Sequence, residues 1–457
     1  MSTTSTANTE NSTGTSTSTS TRLPTLTLPT PDGGTVEHTM TGQTDPRVGA
    51  FTRPSEPLSS RVVYAAAHVV PRMDAENVPG APAATDWEAT LAYRHELWSY
   101  GLGVADAMDT AQRGMGLDWA ATQELIRRSA AEAARVVEAG THPALAGKSV
   151  RDLIACGAGT DQLNPADVEP GRAGLDAVRA AYREQLDVVQ ESGAKTILMA
   201  SRALAKVAAG PQDYLAVYGE LLAEAEQPVI LHWLGPMFDP ALAGYWGSDD
   251  VAAATETFLE LIGSHSTKVD GVKVSLLDAE HEKRLRARLP EGVRLYTGDD
   301  FNYPELIDGE EQGADGWQQS DALLGIFAAI YPAASTAIQA YDAGDAERGR
   351  AILDSTRELG RHIFAHPTIY YKTGVAFLSW LNGHQNGFQL VGGLHAGRSL
   401  PHLARIFVLA DAAGLLTDPQ LAAERMRAAL IVGGVDPDGA ASTGSTASTS
   451  GTEGGAR

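Results

Sequence analysis

The chain has 457 residues and carries 35 Lys and Arg against 57 Asp and Glu, a formal charge of −22. Acidity spread along the whole chain argues against nucleic acid or an anionic membrane as a main partner. A single cysteine, Cys156, excludes an intramolecular disulfide, and no basic-then-apolar leader is apparent, so a cytoplasmic location is expected.

Residues 1–60 read as a low-complexity, flexible segment: Met1 to about Arg22 is nearly all Ser and Thr, and Leu23 to about Ser60 is a Pro/Thr-rich, partly extended lead-in. Strand-like and helix-like stretches then alternate over 61–343. The predicted strands are Val62–Val70, Gly103–Met108, Leu153–Cys156, Thr196–Ala200, Pro228–Trp233, Val269–Ser275, Val293–Thr297 and about Asp315–Gln318. The helices between them begin with Asp86–Tyr100, which Thr85 and Glu88 open at capping-box spacing. Asp118–Ala139 follows and is closed by Gly140. The others are Gly174–Ser192, Asp213–Ala225, Asp249–Gly263, Asp278–Arg288 and a short one near Pro304–Glu311.

The uncharged run Ala322–Tyr341 is interrupted by Pro332, Ser335, Thr336 and Gln339, and reads as a strand end followed by a buried helix. Residues 344–433 are purely helical in pattern, and 434–457 is a disordered Gly/Ser/Thr tail. Eight strands, each followed by a helix, predict an α/β chain: a (β/α)8 TIM barrel with a C-terminal helical extension. A doubly wound sheet would need a glycine-rich nucleotide loop after an early strand, and none is present.

Lys273 stands in the middle of Val269–Ser275, which otherwise reads as a buried strand. A buried cation is costly unless it is paired, solvated or chemically useful, and burial favours the neutral amine, a nucleophile towards carbonyls. A salt bridge to Asp270, Asp299 or Asp300 is the structural alternative.

Barrel active sites lie at the C-terminal strand ends. The candidates there are His68; Asp106, Asp109, Thr110, Gln112 and Arg113; Ser201 and Arg202; His232 and Trp233; Lys273 and Ser275; and Thr297, Asp299 and Asp300. Plain readings compete with the functional ones. His68 and His232 suit a core, Asp299 or Asp300 a helix cap, and Arg113 a pair with Asp109. Arg202 suits a carboxylate or phosphate.

Four pieces of sequence resemble the dihydrodipicolinate synthase/N-acetylneuraminate lyase superfamily. They are Gln227–Pro236, Gly271-Val272-Lys273, Tyr296-Thr297-Gly298-Asp299-Asp300, and the span from Gly313 through Tyr331-Pro332 to Asp345. The resemblance implies a Schiff-base lysine at Lys273 and a helical tail. It also implies assembly into a dimer or tetramer. Where the family carries a tyrosine on the fifth strand, this chain has His232, itself able to move protons near neutral pH. Where the family has Gly-Thr-Thr-Gly-Glu, the chain reads Met108-Asp109-Thr110-Ala111-Gln112-Arg113-Gly114, which puts pyruvate as the substrate in doubt.

The expected function is a class I lyase or aldolase acting on a carbonyl or oxo-acid substrate, without cofactor or metal. Lys273 and His232 would be catalytic. Thr110, Arg113, Arg202, His68, Asp299 and Asp300 would hold the small-molecule substrate. The rivals are a metal-dependent barrel using His68, His232, Asp106 and Asp299, and a non-catalytic barrel that binds a small molecule.

Overall fold

The computed structural model describes residues 23–42, 45–311 and 316–439. The expectations for the extreme tails, and for residues 313–315 of the last motif, lie outside them. Within the segment expected to be flexible, β1 (Thr25–Pro29) and β2 (Thr35–Thr39) form an antiparallel hairpin. Alternation explains it. Leu26 and Leu28 point to one face and are completely or nearly completely buried, each contributing about 1.5–3 kcal/mol of apolar burial. The buried Asp411 carboxylate anchors the chain just beyond, accepting from the Thr41 and Gly42 amides at 2.9 and 3.1 Å. Thr27 N donates to Pro437 O at 2.8 Å, so the start of the tail expected from residue 434 is held against this hairpin.

The barrel strands are β3 (Val63–Ala66), β4 (Gly103–Asp106), β5 (Ile154–Ala158), β6 (Lys195–Leu198), β7 (Val229–Leu234), β8 (Val269–Ser275) and β9 (Arg294–Thr297). β10 (Glu310–Glu311) and β11 (Trp317–Gln318) form a separate two-stranded ribbon, and β12 (Asp321–Leu324) completes the barrel. The closed order is β12-β3-β4-β5-β6-β7-β8-β9, all parallel.

The eighth strand is therefore not at Asp315–Gln318 but at the head of the apolar run. A four-residue strand buried at its last three positions has no alternation to separate it from the buried helix Ile326–Asp342 that follows.

Tyr64, Ile197, Ile230, Tyr296 and Leu323 fill the barrel interior. Its N-terminal end is plugged by Asp270, which accepts from Lys195 Nζ at 3.0 Å and Tyr296 Oη at 2.7 Å. Only the opposite end is left for a site.

Helices Ala346–Ile363, Tyr371–Leu381, Leu400–Ala412 and Pro419–Val432 form the C-terminal layer. Every residue of Tyr371–Leu381 is buried, which makes it the centre of that layer. Its first turn lies over the barrel mouth. No helix among the described residues is long and apolar enough to cross a membrane.

Candidate active site

Register decides which side chains enter the barrel. His232 on β7 pairs with Lys273 on β8, and Leu234 with Ser275, so all four share the inner face. Trp233 points outward and packs edge-on against Trp246, Phe258 and His281. A one-residue slip would have exchanged Trp233 for His232.

Lys273 is 8% exposed and lines a narrow cavity of about 20 Å³ with Asp109, Thr110, Ser275, Asp300 and Tyr371. That is room for one water molecule. Its Nζ has no hydrogen-bond acceptor among the described residues. Burial lowers its pKa from the ordinary lysine range, and the carboxylates of Asp109 and Asp300 oppose the fall. Residue 298 is glycine, and a Cβ there would fall 2.6 Å from Val274 O, run into Ser275 Oγ and lie 3.1 Å from Lys273 Cε.

Asp300 accepts from Ile326 N at 2.8 Å, and burial pushes its carboxyl up to about 7, against the pull of Lys273.

Two hydroxyl pairs flank the amine. Ser275 Oγ lies 3.2 Å from His232 Nε2, while the other ring nitrogen, Nδ1, is buried without a partner. Burial and the neighbouring Lys273 hold His232 well below the usual histidine pKa, so the ring is neutral. On the other side, Thr110 Oγ1 lies 2.7 Å from Tyr371 Oη. The Tyr371 ring stacks on Phe364 at 4.4 Å and 16°, and together they roof the cavity. Gly325 permits this closure, since a Cβ there would come within 2.9 Å of Phe364 and 3.1 Å of Tyr371. Two of the four non-glycine residues with positive φ, Ala107 (51°) and Leu277 (55°), lie just past β4 and β8 and concentrate backbone strain at this rim.

The structure thus brings Lys273, His232, Thr110 and Asp300 together and separates the other expected residues. Arg113 pairs with Asp161 rather than Asp109, and also donates to Gln185, Gly157 O and Ala107 O. Its donors are committed to holding loops, so the expected substrate clamp is a strut. Asp299 accepts from Phe301 N at 2.9 Å, and from Asn302 N at 3.0 Å and Nδ2 at 2.9 Å, capping the turn before helix Tyr303–Asp308. His68 Nε2 bonds Gln385 Oε1 at 2.9 Å, inside the protein. Thr297 turns outward to Glu282.

Arg202 and Ser201 line a second, more open cavity of about 220 Å³ beside the first. Asp109 and Leu234 border both cavities.

Sequence reading missed Tyr371 and Phe364, which come from the helical layer and carry no local motif. It placed Ser275 on the rim without a role, and expected Asp109 to repel a carboxylate unless Arg113 neutralises it.

Among the described residues no three His, Cys, Asp or Glu side chains stand where they could hold a metal ion. Asp106 is bound bidentately by Arg94, at 2.8 and 3.1 Å. The ligand set His68, His232, Asp106 and Asp299 is therefore dispersed over unrelated contacts.

Solved structures of the dihydrodipicolinate synthase family are among those this chain resembles. YagE, a prophage protein of that family from E. coli K12 in complex with pyruvate, is 12% identical with a TM-score of 0.55, over 78% of this chain and 99% of that one. Dihydrodipicolinate synthase from Cyanidioschyzon merolae with lysine bound is 17% identical with a TM-score of 0.54, over 78% and 99%. The enzyme from Aquifex aeolicus is 13% identical with a TM-score of 0.50, over 82% and 99%. No curated protein matches the chain. The family described as "Protein of unknown function (DUF993)" matches residues 26–435, and the chain, a diverged barrel of the dihydrodipicolinate synthase fold, belongs to it.

Proposed function

We propose that the protein is a class I lyase in which the Lys273 amine forms an imine with a carbonyl substrate. The observation that carries this reading is a buried lysine without a hydrogen-bond acceptor among the described residues, its pKa lowered, in a narrow cavity lined by hydroxyl and carboxyl groups. The fold shared with dihydrodipicolinate synthase structures supports it.

Nζ adds to the carbonyl carbon and water leaves, giving a protonated imine. When a neighbouring C–C bond breaks or an α-proton leaves, the imine nitrogen takes up the electron pair and an enamine results. Protonation at carbon, or departure of a β-hydroxyl as water, regenerates an imine, which water hydrolyses to restore the amine. The Thr110–Tyr371 pair is suited to protonating the leaving oxygen. Ser275, backed by the neutral His232, is suited to accepting the α-proton. Opening the Phe364–Tyr371 roof is required, because a cavity of about 20 Å³ admits no substrate carbon skeleton.

Borohydride reduction in the presence of carbonyl compounds, followed by peptide mass spectrometry, tests the reading. A reduced adduct on Lys273, absent from Lys273→Ala, is the expected result; no adduct across a broad panel refutes it.

A further inference from the structure

The charges around the two adjoining cavities identify the class of carbonyl compound the site accepts. This inference rests on the imine reading. A site for a 2-oxo acid needs a cation whose charge is left over for the substrate carboxylate. Here each arginine already faces its own carboxylate. Arg113 is spent on Asp161 and three further acceptors, and Arg202 Nε donates to Asp239.

Lys372, the other buried cation nearby, lines neither cavity; the Asp109 carboxylate acts on it through space, and the Met115 sulfur lies at 3.7 Å. Asp109, which borders both cavities, accepts no hydrogen bond with its carboxylate from the described residues. Lys273 and Lys372 both face this carboxylate through space, so it already balances the local positive charge and disfavours an added anion. The same group is a good acceptor for two hydroxyls of one ligand.

The rest of the larger cavity offers hydroxyls, an amide and guanidinium N–H groups: Thr160 and Ser201, paired at 2.6 Å, Asn164, and the Arg202 donors not used by Asp239.

We infer that the substrate is an uncharged polyhydroxylated carbonyl compound of the sugar type. Its carbonyl carbon reaches Lys273, Asp109 accepts hydroxyls beside it, and the remaining hydroxyls lie in the 220 Å³ cavity.

The test is competitive borohydride trapping with the full chain. Dihydroxyacetone, erythrulose and fructose serve as neutral probes, and pyruvate and 2-oxoglutarate as anionic ones, at equal concentrations. The reduced adduct on Lys273 is quantified by mass spectrometry. Neutral probes are expected to label Lys273 at least ~10-fold faster than either oxo acid. Asp109→Asn is expected to narrow that ratio by raising the pyruvate rate. Preferential labelling of Lys273 by pyruvate or 2-oxoglutarate overturns the inference while leaving the imine reading standing. No labelling by either class overturns both. Unchanged selectivity in Asp109→Asn overturns the role given to that carboxylate.

Discussion

Arg94 and Lys273, two of the buried cations among the described residues, are built for different ends. Arg94 is fully buried, and its guanidinium donates to both Asp106 oxygens, to His68 O at 2.7 Å and to Thr90 O at 3.0 Å. Lys273 is almost as deeply buried but has no acceptor, only carboxylates close enough to act through space. Burial alone therefore does not separate the two; the presence or lack of a hydrogen-bonded partner does. A satisfied ion pair fixes one geometry, whereas an unsatisfied amine retains a lone pair for chemistry.

Removing each cation is the sharpest way to test the contrast. Lys273→Ala should eliminate trapping and reduce turnover on the order of 10³-fold or more, with little change in denaturation midpoint. A large loss of stability instead would make Lys273 structural. Arg94→Ala should do the reverse, costing about 3–5 kcal/mol in urea denaturation because it strands Asp106 without a counter-ion.

Tyr371→Phe removes only the hydroxyl shared with Thr110. Turnover should fall about 10²–10³-fold while the Lys273 adduct is still trapped. Loss of both together would mean that Tyr371 shapes the cavity rather than moving protons.

The Arg94 region also holds His68, whose pKa burial pulls down to about 4. A depressed histidine contributes stability that is complete above its unfolded pKa of about 6.5 and is lost as the pH falls through about 4, a swing of about 3 kcal/mol. Denaturation midpoints measured between these pH values should show it, and His68→Gln should flatten the slope.

The smallest expected effect is on the lysine side. Asp109 raises the Lys273 pKa, so Asp109→Asn should move the rising limb of the trapping-rate profile to lower pH. A shift to higher pH would contradict that sign.

The same contrast explains what the sequence could disclose. Seven barrel strands stand out as buried apolar segments, and Lys273 is conspicuous because it interrupts one of them. His232 follows by register. β12 hides at the start of a continuous apolar run, where no alternation separates strand from helix. Arg113 is spaced from Asp109 as if for a pair, yet the fold brings Asp161 to it instead, a contact no local pattern encodes. Tyr371 is still less visible. In the sequence it is one more apolar position at the start of a helix, and it becomes a site residue only when the helical layer closes over the barrel.

That closure has a consequence for how the chain can vary. The barrel by itself supplies an amine and a floor; the ceiling arrives from a different layer, on Phe364 and Tyr371. The two layers must therefore drift together. A relative that kept every barrel strand but rebuilt the turn between residues 364 and 371 would keep the lysine and lose its shelter from water. Variation in that turn, more than in the strands, is where members of this family would diverge in what they turn over.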